Sequence, residues 1–383
     1  MNGKRNLELY FHIPFCVRKC NYCDFLSFSC DEKIKASYMD ALFREVKEKA
    51  GNYTDYQVVS VFVGGGTPSV VSERDMVTLL SIVREYFDLS EEAEITIEVN
   101  PGTVTQDKLK EYRSAGFNRL SIGLQSAEEE QLKRIGRIHT YSQFLDAYGW
   151  ALEAGFENIN VDVMSALPGQ SFESYVSTLN TLLSLPKPPV HISAYSLILE
   201  EGTVLMQQYE RGELELPDEE TDRAMYEETK RILESHGYRR YEISNYALPG
   251  FECRHNIGYW TRTEYVGFGI GAASLVKEER FSNGCDLQEY LQDPAGLECE
   301  RKKLNLRQQM EETMFLGLRL TEGVDRRDFQ TRFDTVLEQV YGEVIEANLR
   351  DGLLQYSDDG DRLFLTEKGL NLSNYVMAQF IFV

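Results

Sequence analysis

The chain has 383 residues, 42% of them hydrophobic and 27% charged, which suits a globular protein with one large domain and room for a smaller one. Its 40 basic and 62 acidic residues leave a net charge of −22, which repels phosphate backbones and anionic lipid and argues against nucleic acid or a membrane surface as partner. No run approaches the ~20 apolar residues that cross a bilayer.

The first six residues are basic, but the apolar run Leu7–Ile13 is interrupted by Glu8 and His12, so it reads as a strand and not as a signal peptide. The expected location is therefore the cytoplasm. Further apolar runs follow at Val58–Val63, Glu94–Val99, Arg119–Leu124, Asn158–Met164 and His191–Leu197. Several are nearly continuous in Val, Ile, Leu and Phe, as in parallel strands covered on both faces. Between them, helical spacing marks Ile34–Lys49, Asp75–Phe87, Thr105–Ala115, Tyr141–Ala154 and Phe172–Leu183, with Ser72 and Thr105 as N-caps. Ala115-Gly116-Phe117 and Ala154-Gly155-Phe156 repeat one device, a glycine at a helix end followed at once by a strand. Six βα units predict an α/β fold, a partial (βα)6 TIM-like barrel, with a doubly wound open sheet as the competing arrangement.

Beyond residue 200 the character changes. An acidic stretch, Glu213–Glu220, leads into a helix over Glu219–Ser235. Residues 253–275 are rich in glycine and aromatics, and 276–304 read as a charged linker with a short helix. From Leu306 the order is three helices, then two short strands about a turn at Asp358-Asp359-Gly360, a winged-helix-like α+β pattern. The expected division is 1–240 for the barrel, 241–304 for its extension and linker, and 305–383 for the small C-terminal domain. Given the acidic charge, that last domain is expected to pack beside the barrel rather than to bind DNA.

Seven cysteines are too few and too clustered for a disulfide framework. Three of them, Cys16, Cys20 and Cys23, follow the first strand with C-x3-C-x2-C spacing. Three thiolates on one loop hold three irons of a [4Fe–4S] cubane and leave the fourth iron open, as a catalytic metal site needs. A zinc knuckle, with Cys30 as a fourth ligand, is the competing reading. Cys253, Cys285 and Cys299 show no ligand spacing and are expected to be ordinary small buried residues.

The run His12-Ile13-Pro14-Phe15-Cys16 with this spacing resembles the radical-SAM proteins, in the branch of oxygen-independent coproporphyrinogen oxidase and its relatives, over essentially the whole chain. The resemblance implies a radical-SAM barrel whose mouth binds S-adenosylmethionine. Gly64-Gly65-Gly66-Thr67-Pro68-Ser69 follows the second strand; its glycines permit close backbone approach, and their N–H groups are suited to a carboxylate. By resemblance, Gly65, Gly66 and Thr67 hold the methionine end of S-adenosylmethionine, Tyr10 lies against the same ligand, and Glu98 at the end of strand three belongs with it. Gln125, Arg137 and Asp162 match positions that in the oxidase contact a second copy, and Ala273, in the run Gly267–Ser274, joins the cofactor-binding set. Ala166 stands where the family usually has glycine.

Two departures separate this chain from the oxidase branch. Phe25 occupies the place of a fourth cysteine two residues after the third, and only six residues precede the first strand. Both resemble the sister branch of HemW-type heme chaperones, as does His255-Asn256-Ile257-Gly258-Tyr259-Trp260. The resemblance implies heme as ligand and a recipient hemoprotein, a membrane-bound one included. His255 is an expected iron ligand, with Tyr259 and Trp260 offering flat surface to a porphyrin; the alternative is a satisfied histidine packed beneath the barrel. The rival class is an enzyme, a coproporphyrinogen decarboxylase or a radical methyltransferase. A zinc-binding regulator acting through the winged-helix-like end is a third reading.

Overall fold

A computed structural model describes residues 4–381. The first half alternates strand and helix: β1 (Arg5–Ile13), α1 (Glu32–Lys49), β2 (Tyr56–Gly65), α2 (Glu73–Tyr86), β3 (Leu89–Val99), α3 (Gln106–Ala115), β4 (Arg119–Gln125), α4 (Glu129–Arg134), α5 (Tyr141–Glu153), β5 (Asn158–Ser165), α6 (Phe172–Leu183), β6 (His191–Ser196), α7 (Val204–Glu210) and α8 (Glu219–Ser235). Strands β1 to β6 pair in sequence and in parallel, the partial barrel expected. Ser72 and Thr105 cap α2 and α3 by accepting from Asp75 N at 3.1 Å and Lys108 N at 3.3 Å.

The strands are covered on both sides, but the two faces differ. Leu7, Leu9, Phe11, Val61, Val63, Leu120, Ile122, Val161 and Val163 are buried in the main hydrophobic core with the surrounding helices. The alternate face carries Glu8, Ser60, Glu94, Arg119, Asn160 and His191, all buried; Glu8, Ser60 and Glu94 are paired in one row, and Asn160 and His191 in another. Strand alternation sends these polar groups into the barrel, where several are hydrogen-bonded, while Glu8 Oε2 and Arg119 Nε have no partner among the described residues. Asn160 Nδ2 donates to Ser121 Oγ at 2.9 Å and Asp162 Oδ1 at 2.7 Å, and His191 bridges Asn160 Oδ1 at 2.6 Å and the Tyr241 hydroxyl at 2.8 Å.

The sheet stays open. After α8 come β7 (Arg239–Arg240), β8 (Asn245–Ala247), α9 (Arg254–Trp260), β9 (Tyr265–Phe268), β10 (Ala273–Val276), β11 (Glu279–Asn283), α10 (Leu287–Gln292) and β12 (Glu298–Lys303). Strand β8 joins antiparallel to β6, whereas β9 joins parallel to β1 and continues through β10 and β11 to β12. The charged linker expected over 276–304 is thus two further strands and a helix of the main sheet. Its polarity belongs to an edge: β12 is exposed along most of its length.

A second hydrophobic core occupies the C-terminal region, built from α11 (Leu306–Gly317), β13 (Val324–Asp325), α12 (Arg326–Phe333), α13 (Leu337–Arg350), β14 (Leu354–Tyr356), β15 (Arg362–Leu365), α14 (Glu367–Asn371) and α15 (Ser373–Ala378). The first three of these five helices and a three-stranded sheet ordered β13-β15-β14 give the winged-helix-like pattern. Among the described residues no helix is long and apolar enough to cross a membrane.

Candidate radical-SAM site and lateral cleft

The loop after β1 carries Cys16, Cys20 and Cys23, all half-buried. Phe15 and Phe28 pin its two ends together: Cys16 N donates to Phe28 O at 3.0 Å and Phe28 N to Pro14 O at 2.8 Å. Thr67 Oγ1 lies 3.4 Å from Cys16 Sγ, and Arg137 Nη1 donates to Cys20 Sγ at 3.8 Å. Burial raises the Cys16 and Cys23 thiols above their ordinary range. Among the described residues no three His, Cys, Asp or Glu side chains converge as one metal ion requires. Three thiols spread along one loop suit a cubane, in which each thiolate takes a separate iron.

The glycine turn packs against this loop. A Cβ on Gly65 would stand 2.5 Å from the His12 ring, one on Gly66 2.8 Å from Phe15 O, and one on Gly64 2.8 Å from Glu98 Oε2. The N–H groups expected to hold a carboxylate are already taken: Gly65 N donates to Glu98 Oε2 at 3.2 Å, Gly66 N to Ile13 O at 2.8 Å and Thr67 N to Phe15 O at 2.8 Å. The turn therefore acts by letting three chain segments meet.

One cavity of about 140 Å³ gathers Cys16, Cys20, Cys23, Gly65, Gly66, Thr67, Glu98, Gln125, Arg137 and Asp162, the residues the sequence placed at the mouth. Burial, with Asp162 nearby, pushes Glu98 up to about 8. Burial also raises Asp162, against hydrogen bonds from Asn160 and Ser193. Gln125 sits at φ +71° and accepts from the Tyr195 hydroxyl at 3.0 Å. Arg137 Nε is buried without a partner among the described residues. Sequence reasoning missed Tyr22 and Tyr195, which line the same cavity. Tyr22 was legible as the aromatic inside the cysteine motif, whereas Tyr195 had only its place at the end of a strand.

Tyr10, His255 and Ala273 lie elsewhere. Helix α9 crosses the base of the barrel, anchored by Glu94, whose carboxylate accepts from Cys253 Sγ at 3.4 Å and from Arg254 N and His255 N, both at 3.2 Å. His255 is 1% exposed. Its Nδ1 meets Ser60 Oγ at 2.8 Å and its Nε2 the Tyr259 hydroxyl at 3.1 Å. Burial, with Arg119 nearby, lowers it to about 3, so it is neutral. This is the satisfied histidine beneath the barrel, with no nitrogen left for an iron. Tyr259 and Trp260 instead line a cleft of about 520 Å³ at the side of the barrel, with Tyr10, Tyr265, Phe315 and Leu316. Ala273 lines this cleft and not the mouth. Of the remaining cysteines Cys253 is buried as expected, but Cys285 and Cys299 are exposed.

Residues 10–182 match the radical SAM superfamily and 304–372 the HemN C-terminal domain. The heme chaperone HemW of Lactococcus lactis is 39% identical over 97% of this chain and 96% of its own length; that of Bacillus subtilis is 35% identical over 97% and 98%. The chain belongs to the HemW family. The same fold is found in the coproporphyrinogen III oxidase HemN from Escherichia coli, with a TM-score of 0.85, 24% identity, and coverage of 98% of this chain and 90% of that one. As radical-SAM proteins, members of the HemW family imply a [4Fe–4S] cluster and S-adenosylmethionine, and the mouth fits both. Its three thiols share a loop without converging, the buried Glu98 carboxyl suits an ammonium, and Arg137 retains an unmet donor.

Proposed function

We propose that this protein carries heme in the lateral cleft and delivers it to a recipient hemoprotein, with Cys16, Cys20 and Cys23 holding the cluster and Glu98 and Thr67 beside S-adenosylmethionine in the mouth. The observation that carries the reading is the cleft itself, an open aromatic slot of about 520 Å³ set apart from the mouth pocket. Tyr259, Trp260, Tyr265 and Phe315 present faces and edges to a flat apolar ligand. Burial raises the Tyr259 and Tyr265 hydroxyls above their ordinary range, and the slot's aromatic lining supports a grip by stacking. Such a grip suits a carrier, which must release what it binds. His255 acts from behind as a positioning residue, fixing the Tyr259 hydroxyl.

At the mouth, when the cofactors are bound, the cluster supplies an electron able to cleave the sulfonium and generate a carbon radical. The chain's own part is to hold the pieces. Arg137 ties Cys20 to β4 through Gly123 O, and Glu98 offers a carboxyl that ionises against a bound ammonium. Gln125, Arg137 and Asp162 remain together, as the oxidase resemblance implies, and this favours keeping porphyrinogen chemistry as the second reading.

One anaerobic experiment separates the two. With the cluster reconstituted, heme titration is expected to saturate at one equivalent. Trp260→Ala should weaken binding roughly tenfold, and His255→Ala should weaken it less. Supplied with coproporphyrinogen III, S-adenosylmethionine and a reductant, the same protein is expected to form no vinyl groups. Decarboxylated product would make it an oxidase, and failure to bind heme would end the carrier reading.

A further inference from the structure

A second cavity, of about 420 Å³, lies on the far side of Trp260, where the end of α9 meets α11, β13 and α12. Trp260 and Arg262 line it. Both carry a buried N–H donor, Trp260 Nε1 and Arg262 Nη1, that finds no hydrogen-bond partner among the described residues. The Arg262 side chain is 1% exposed. Its other nitrogens are held in a fixed frame: Nε donates to Glu312 Oε2 at 3.1 Å and Nη2 to Glu278 Oε2 at 2.5 Å, while Glu312 also binds Arg280 Nη2 at 3.0 Å through both oxygens. Arg262 sits at φ +59°, one residue beyond the cap of α9, where glycine is the usual occupant. An unmet donor on a fixed guanidinium, beside an unmet indole N–H, is suited to an anionic oxygen ligand.

The rest of the lining leaves room for such a ligand. Arg332 and Arg362 face the cavity, as do Asp325 and Asp328. Asp325 is already committed, accepting from Arg327 N and Asp328 N at 2.9 Å and lying 3.7 Å from Arg362 Nη2. Asp328 lies 3.5 Å from Arg332 Nη2. All three arginines have carboxylate partners, Arg262 with Glu278 and Glu312, Arg332 with Asp328, and Arg362 with Asp325 and Glu322, so what the recess offers a ligand is the pair of unmet N–H donors on Arg262 and Trp260.

We infer that this cavity is a carboxylate-binding site, and that the carboxylates it takes are the propionates of a porphyrin whose ring lies in the lateral cleft across Trp260. The source of the carboxylate rests on the proposed function; the site itself does not. Trp260 would then stack on the ring from one cavity and donate its N–H to a propionate in the other.

The test compares heme with heme dimethyl ester, whose propionates are masked, and adds succinate as a free carboxylate. In the wild type heme is expected to bind about tenfold more tightly than the ester. Trp260→Phe keeps a ring but removes the N–H, and Arg262→Lys removes the fork. Each should narrow the preference for heme over the ester severalfold, whereas misfolding, which weakens both alike, would leave that ratio unchanged. Equal affinity of the wild type for heme and ester overturns the inference while the carrier reading stands. If neither porphyrin binds, the carrier reading falls and succinate decides: saturable binding in calorimetry that Arg262→Lys weakens supports a carboxylate site, and its absence overturns it.

Discussion

Ala166 stands at φ +54°, in the left-handed region where a Cβ meets the following carbonyl, and this accounts for the glycine expected there by resemblance. Ala166→Gly should therefore leave the protein equally or more stable, by up to ~1 kcal/mol after the looser unfolded chain is allowed for, as read from urea denaturation. The cluster cysteines make the opposite kind of prediction. Cys16→Ala, Cys20→Ala and Cys23→Ala should each abolish the visible iron–sulfur absorbance after reconstitution, with the far-ultraviolet dichroism of the apoprotein unchanged. Retention of a full cluster by any one of them would remove that cysteine from the ligand set. His255 sets a pH dependence. It stays neutral when folded but takes a proton near 6.5 when unfolded, so protons favour unfolding and stability falls as pH drops below about 6.5. Glu8 and Glu98, raised by burial, act with the opposite sign above their ordinary carboxyl range. A difference measurement isolates the histidine: relative to wild type, His255→Gln should lose about 1.4 kcal/mol less per pH unit below 6. Parallel curves would mean that His255 is protonated in the fold. The cysteine motif was legible because its spacing lies within one loop after β1, and Glu98, Gln125 and Asp162 because they are polar residues in the C-terminal halves of apolar strands. That the glycine N–H groups are engaged, and that His255 faces inward, depended on neighbours distant in sequence.

At the scale of elements, α9 shows how closely a short helix is fitted. A Cβ on Gly258 would lie 2.1 Å from Glu8 Oε1, so the carboxyl of β1 rests directly on the helix backbone. Gly258→Ala should cost about 1–3 kcal/mol and displace Tyr259 and Trp260, seen as a shift of tryptophan emission and weaker heme binding together. An unchanged emission spectrum would show that Glu8 moves aside without moving the helix. Strands β1 to β6 were readable from apolar runs, since their outer faces are largely aliphatic and most are followed by a helix with a side-chain N-cap. Their inner faces are polar because the barrel encloses a site instead of an apolar core, and this is alternation that the runs partly masked. Strands β11 and β12 were missed for a related reason: an exposed edge strand dense in charge has the composition of a linker. Helix α9 has seven residues and begins at Cys253 with no side-chain cap. Its anchor is Glu94, from another strand, so no local signal announced it.

Over the whole molecule, the charge of −22 is self-repulsive, and screening should relieve it. Thermal stability is expected to rise from low to physiological ionic strength; a flat or falling curve would mean that ion pairs such as Arg262–Glu312–Arg280, between the sheet extension and α11, outweigh the net repulsion. The alternation of strand and helix in the first half was legible, whereas the return of β9 to β12 to the edge of the same sheet was not. The lateral cleft opens between them, away from the mouth. A molecule built this way has two doors. On the proposed function, cofactor exchange at one would not wait for cargo to leave by the other, so a recipient could stand at the side entrance while the mouth is occupied, and loading and unloading would overlap in time rather than alternate.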